Sequence, residues 1–361
     1  MLLRFLLAAV LVAPVCALVR PGVEYKVFQF PADKIPRIDA KTDDWAIVPD
    51  SYSIGTDQLK ETVRGLDFKF DRKNLDVKVK VGWVKGLNRL YFLYEAYDDY
   101  WDFRRADRHN DIFELVVDGD LSGGPFIANL HPAAQENGVL NKDEAYFQFH
   151  GVHAQNYHIL TPAPDRDWAF VWGCQQWIKH LPYSNAAYDY HFKHGESGKL
   201  TLEFWITPFD YAPYEGPARA VESKLWEEKV IGMSWSILDY DDENKSDYTG
   251  FWNLSHKTMM YGNADDLVAF RLMPLEKEFR KAIQSRWSYQ VLDFKRRVIA
   301  FHDDSDGEIR SWRWDFGDGS SSTEASPIHT YSKAGEYIVT LYVEGPKGKS
   351  QWTKVRDVAV P

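Results

Sequence analysis

The sequence predicts an all-β protein built from β-sandwich modules, and three observations lead there. Short runs alternate apolar and polar side chains: Leu75, Val77, Val79 and Val81 against Asp76, Lys78 and Lys80. That period of two puts one face in a core and the other in water. Turn residues separate the runs at Gly123-Gly124, Gly195 to Gly198 and Gly262-Asn263, with no amphipathic helical pattern between them. Aromatic residues reach 15%, with 14 Trp, 20 Tyr and 21 Phe, and flat rings pack well on a pleated surface.

The elements follow in order. Arg4 precedes an apolar run from Phe5 to Val15, too short to span a bilayer and shaped like a signal peptide over residues 1–17. Val15-Cys16-Ala17 places small residues for cleavage after Ala17. Cys16 also raises a lipoprotein reading, which Pro14 and Val15 fit poorly. Leu90 to Ala96 is apolar on both faces except at Glu95, as a central strand would be. Ile112 to Val117 is a further strand and ends in the turn Asp118-Gly119-Asp120. Leu200 to Ile206, Ile231 to Leu238 and Leu267 to Leu272 complete the first series. Leu275 to Ser285 is rich in helix formers of both charge signs and reads as a helical connector over residues 275–285. Strands then resume at Tyr289 to Phe294, Val298 to Phe301, Ser311 to Asp315 and Tyr337 to Val343.

The chain has 361 residues and a formal net charge of -10. An acidic surface repels phosphate backbones, so nucleic acid is not an expected partner. No other stretch is apolar enough to cross a membrane after the signal segment. Once that segment is removed, Cys174 is the remaining cysteine, so no internal disulfide is expected. A secreted, periplasmic or cell-surface bacterial protein is the expected setting.

The C-terminal residues carry Trp314-Asp315-Phe316-Gly317-Asp318-Gly319, Ser326-Pro327, His329-Thr330-Tyr331 and Ala334-Gly335 before Tyr337 and Val339-Thr340-Leu341. Gly317 and Gly319 permit positive φ in a tight connection, and Asp315 and Asp318 can bond turn amides. Residues 286–361 thereby resemble a PKD domain. The resemblance implies a small immunoglobulin-like sandwich acting as a spacer or docking cell-surface proteins, and no catalytic role.

Residues 24–274 carry a second series: Pro36-Arg37-Ile38-Asp39 with Asp43-Asp44-Trp45, Val81-Gly82-Trp83 before Leu90-Tyr91-Phe92, and Tyr97-Asp98-Asp99. Asn110 to Leu115 and Ile231-Gly232-Met233 through Asp239, Asp241 and Asp242 follow. In that order they resemble the family 9 carbohydrate-binding modules and their DOMON-like relatives, with Ala40 standing where the family has Gly. The resemblance implies a large β-sandwich that binds a saccharide between two Trp rings, beside polar side chains. The first clamp position falls on Arg108, with Trp101 on the same loop, and the second near Tyr261, with Trp252 upstream. The hydroxyl-binding Glu matches Glu114, a later Arg matches Gln148, and a Gln matches Ser236. Trp45, Trp83 and Trp235, within or beside apolar strands, are expected in the core.

Two acidic stretches offer hard oxygens to calcium: Asp118 with Asp120, and Asp239, Asp241 and Asp242. The resemblance implies structural calcium as well, and no other cofactor is required. His150, His153 and His158 raise a zinc reading but lack H-E-x-x-H spacing. No nucleophile elbow, P-loop or dinucleotide fingerprint is present, and no carboxylate pair is marked out. The function expected is therefore non-catalytic glycan binding by aromatic stacking. A protein-interaction pair with a decayed sugar site, or a glycoside hydrolase with an unrecognised site, are the alternatives.

Overall fold

The computed structural model describes residues 18–65, 67–105, 109–132, 140–280 and 282–360. Residues 1–17, where a signal peptide is expected, and Arg108 lie outside the described residues. The chain divides into two compact units, ending at Pro274 and beginning at Leu275.

The first unit contains β1 (Glu24–Gln29), β2 (Ile54–Gly55), β3 (Lys60–Glu61), β4 (Leu75–Trp83), β5 (Leu90–Asp98) and β6 (Ile112–Asp118). After helix α1 (Lys142–Phe149) come β7 (Gln155–Leu160), β8 (Ala169–Val171), β9 (Ser184–Tyr190) and β10 (Gly198–Ile206). β11 (Phe209–Tyr211), β12 (Val221–Glu222), β13 (Val230–Asp239), β14 (Gly250–Asn253) and β15 (Val268–Leu272) close the unit. One layer runs β8-β7-β6-β13-β15 and the other β4-β5-β10-β9. β1 belongs to both. Its first half lies parallel to β15, and Phe28 and Gln29 then pair with Gly82 and Trp83 of β4.

The period-two reading fixes which side chains fill the space between the layers. Val77, Val79, Val81, Phe92, Tyr94, Phe113, Leu115, Val117, Phe204 and Trp235 share one buried cluster. Phe92 and Phe204 stack there at 4.6 Å between ring centroids. Trp45, Trp83 and Trp235 are buried as expected. The Trp45 indole donates to Glu203 Oε1 at 2.9 Å, and Asp39 and Ala40 amides donate to Glu203 Oε2. Gly82 has no side chain because the Phe30 ring covers it, 2.2 Å from where a Cβ would stand.

Helix α1 lies in the large module, where the sequence offered no amphipathic helical pattern. Asn141 caps it by accepting from the amides of Asp143 and Glu144, while Glu144 reaches back to the Asn141 amide. The expected helix over 275–285 is a single 3-10 turn at Lys277–Phe279. Backbone pairing explains the difference: Gln284 bridges Asp306 in both directions. That extended register competes with a segment too short to nucleate a helix alone.

The second unit has two sheets, β16 (Trp287–Asp293), β17 (Val298–Asp303) and β20 (Ile328–Thr330) in one. The other holds β18 (Ser311–Asp315), β19 (Ser321–Ser322), β21 (Gly335–Gly345) and β22 (Gly348–Val360). Trp287, Phe301, Trp314, Phe316, Tyr331 and Leu341 fill the space between them. Gly317, at φ +79, turns the chain where a Cβ would strike the Ile338 backbone. The Tyr331 hydroxyl donates to the Phe316 carbonyl at 3.0 Å.

Candidate functional site

The outer face of the β6–β7–β13 layer is polar at its centre. Glu114 alternates with Phe113 and Leu115, so it points away from the core those two fill. The same alternation brings Asn156 and His158 of β7 alongside it. Two apolar clusters flank this strip. Val116, Phe126, Ile127 and Met260 form one, and Ile112, Leu160, Leu238, Tyr240 and Phe251 the other. A cavity of about 310 Å³ opens on the strip, lined by Glu114, His158, Trp172, Tyr248, Phe251 and Tyr261 among others.

Glu114 Oε1 accepts from the Asn156 amide at 2.8 Å and lies 3.3 Å from His158 Nε2. Burial pushes its carboxyl up to about 7, with the Asn156 hydrogen bond pulling the other way. Trp172 and Tyr261 are nearly parallel, at 9° and 5.6 Å between centroids. A pyranose held between two rings needs roughly 7–8 Å between their planes, from contacts of about 3.5–4.0 Å on each face. The pair therefore forms one offset platform rather than an open clamp. Among the described lining residues Glu114 is the one carboxylate, whereas glycoside hydrolysis uses two facing each other.

Glu114 and Tyr261 are thus brought to one cavity, and the other sequence candidates among the described residues are not. Trp101 is buried. It stacks on Phe192 at 4.9 Å and donates its indole N–H to the Gly198 carbonyl at 3.0 Å. Its charged sequence neighbours gave no sign of this inward packing. Trp252 alternates with Phe251 and Asn253, so it faces the core, against Phe70 at 4.1 Å. Gln148 is exposed on α1 and does not line the cavity. Trp172 and the pairing of His158 with Glu114 went unforeseen. The alternation of Asn156 and His158 against Tyr157 and Ile159 was the available signal.

The three histidines are scattered in role. Burial pushes His150 down to about 4. His153 is exposed beside the Asp210 carbonyl, and His158 belongs to the cavity.

The acidic residues assemble differently from the expected stretches. Asp98 at the end of β5, Asp111 just before β6 and Asp239 at the end of β13 place one carboxylate oxygen each within 4.8 Å of one another. All three are buried, and Asp98 forms a second such group with Asp99 and Asp241. Burial and then repulsion from neighbouring carboxylates hold the first three carboxyls well above the usual carboxylate range, Asp241 and Asp99 acting on Asp239. Asp239 Oδ1 and Asp241 Oδ1 are buried without a hydrogen-bond partner. An all-oxygen donor set with orphaned buried oxygens fits a hard divalent cation such as calcium. Asp118, Asp120 and Asp242 belong to neither group. Asp118 accepts from the amides of Ser122 and Gly123, Asp120 from that of Ser122, and Asp242 from the Asn244 amide and Lys245. Closely spaced Asp residues cap their own turns here.

Comparison with known proteins distinguishes the two units. The PKD-domain family model matches residues 295–360. The PKD1 domain of the Vibrio cholerae metalloprotease PrtV is 33% identical, with a TM-score of 0.20 over 22% of this chain and 98% of that domain. The second unit is therefore a member of the PKD domain family. A pre-pro-metalloprotease of V. cholerae is 60% identical over 47 residues, and a collagenase of Bacillus cereus 54% over 46. Each match covers 13% of this chain and 5% of the relative, so the chain spans about a twentieth of those proteins. The first unit has structural neighbours among family 9 carbohydrate-binding modules. One from Caldicellulosiruptor kristjanssonii, in complex with cellotriose, is 11% identical with a TM-score of 0.45, over 71% of this chain and 96% of that one. No helix among the described residues is long and apolar enough to cross a membrane.

Proposed function

We propose that the large module is a non-catalytic saccharide-binding module acting outside the cytoplasm, with the PKD domain as its spacer or docking module. The cavity over Glu114 carries this reading. Its Trp172–Tyr261 platform offers an aromatic face to the apolar side of a sugar ring. Glu114 and His158 supply polar groups for hydroxyls beneath it. The Asp98–Asp111–Asp239 group would hold calcium, with Asp241 at its edge, and its role there is to neutralise buried charge. The apolar run after Arg4 supports export.

A glycan array on the full chain, with and without calcium, tests this, followed by calorimetry on the best ligand. Tyr261→Ala and Glu114→Gln should each weaken binding about tenfold, near 1.4 kcal/mol, while unfolding remains cooperative. Binding of no saccharide in either condition overturns the reading. The close approach of Trp172 and Tyr261 would then favour the protein-interaction alternative.

A further inference from the structure

At the far end of β13 from this cavity lies a second concavity. It measures about 610 Å³ and is lined by Trp226, Lys224 and Lys229 and by Asp120, Asp210, Glu222 and Glu228. Leu238 lines the first cavity and Val230 the second, so eight strand steps of ~3.3 Å place them roughly 26 Å apart. Trp226 is 56% exposed, the most exposed Trp among the described residues. Two non-glycine residues of the rim hold left-handed backbone, Leu121 at φ +58 and Glu228 at φ +68. Such strained conformations persist where the surroundings over-determine them.

The chemistry selects the occupant. Lys229 is buried, its ammonium bonded to the Lys224 carbonyl at 2.7 Å and lying 4.5 Å from the Trp226 ring. The chain's own cation thus already serves the ring's electron-rich face, and a second ammonium or guanidinium would meet Lys229 and Lys224. A polyanion would meet four carboxylates. A neutral polyhydroxylated ring meets neither penalty. Its apolar face can lie on the free face of the indole, and its hydroxyls can donate to Asp210, Glu222 or Glu228.

We propose that Trp226 and the surrounding carboxylates form a second binding platform, for a neutral polysaccharide, separate from the cavity over Glu114. A polymer reaching both sites gains avidity that a monosaccharide cannot.

The test is affinity electrophoresis of the full chain through gels holding hydroxyethyl cellulose, xyloglucan, galactomannan or laminarin. Polygalacturonate and poly-lysine serve as charged comparators. Trp226→Ala should weaken retardation by at least one neutral polymer about tenfold, and Trp226→Phe should restore most of it. Carried in a Tyr261→Ala background, Trp226→Ala should abolish the remaining retardation. A Trp226→Ala protein retarded as strongly as the parent overturns the proposal, as does retardation by none of the four polymers. Stronger retention by either charged polymer overturns it as well where Trp226→Ala removes that retention, since the chain's net charge of -10 draws poly-lysine without any site. Loss through Tyr261→Ala alone counts against this platform and leaves the first cavity standing.

Discussion

Ala40 sits at φ +59, a left-handed position held by the Glu203 carboxylate that receives its amide. An L-residue there is strained by crowding between Cβ and carbonyl. The resemblance to family 9 modules has Gly at this place, and the strain explains why Gly would suit it. Ala40→Gly should raise the unfolding free energy by about 0.5–1 kcal/mol, the relief exceeding the extra freedom Gly gives the unfolded chain. Urea denaturation checks this, and a destabilised variant contradicts it. Glu114 makes a pH-dependent claim. Its carboxyl is raised by burial from 4.5 to about 7, so the folded state keeps its proton after the unfolded chain has lost it. No cost arises below about pH 4.5. Stability then falls as pH rises through the window to about 7 and levels off above it, by roughly 3 kcal/mol in all. Glu114→Gln lacks this loss, so its advantage over the parent should widen between pH 4.5 and 7 in chelator and then hold constant. A gap that stays flat through that window rules the effect out. At this scale the sequence told which side of a strand Glu114 occupies, because alternation with Phe113 and Leu115 is local. It could not tell that Trp101 stacks on Phe192, since that contact joins residues 91 positions apart.

Among the elements, legibility follows periodicity. β4, β5, β6, β10 and β13 fall within about two residues of the runs that announced them, because each has at least one clean apolar face. β7, β8 and β9 gave no such sign. Both faces of β7 are buried, with Gln155, Asn156 and His158 among its residues, so polar side chains stand where a sequence pattern expects oil. Of these, His158 lines the cavity and Asn156 donates to its Glu114, while Gln155 bonds the Phe209 backbone on the other side. The segment Asp239 to Glu243 shows a second limit. It read as one acidic stretch, yet Asp239 and Asp241 turn inward while Asp242 stays outside on its own turn. Tertiary placement divides residues that are neighbours in sequence.

For the whole large module, the decisive feature is that Asp98 belongs to one layer and Asp111 and Asp239 to the other. A cation held by these three would join the layers at one end of the sandwich, and its removal would leave buried charges in mutual repulsion. Calcium should therefore raise the unfolding midpoint, by about 2.7 kcal/mol at about a hundredfold excess over Kd, and a chelator should reverse it. Asp239→Asn should abolish the response without making the chelated protein less stable than the chelated parent, because its Oδ1 has no hydrogen-bond partner to lose. An unfolding midpoint indifferent to calcium in the parent chain removes the cation from the account. Strand β1 has a different consequence. It pairs with β15, the last strand of the module, before it crosses to β4. As the chain emerges from a ribosome or a translocation pore, Glu24 to Val27 must therefore wait for Ala269 to Leu272 before gaining their neighbours. Closing so long a loop is slow, and until it happens the opening strand is left with bare hydrogen-bonding groups, the interval in which a chaperone has most to protect.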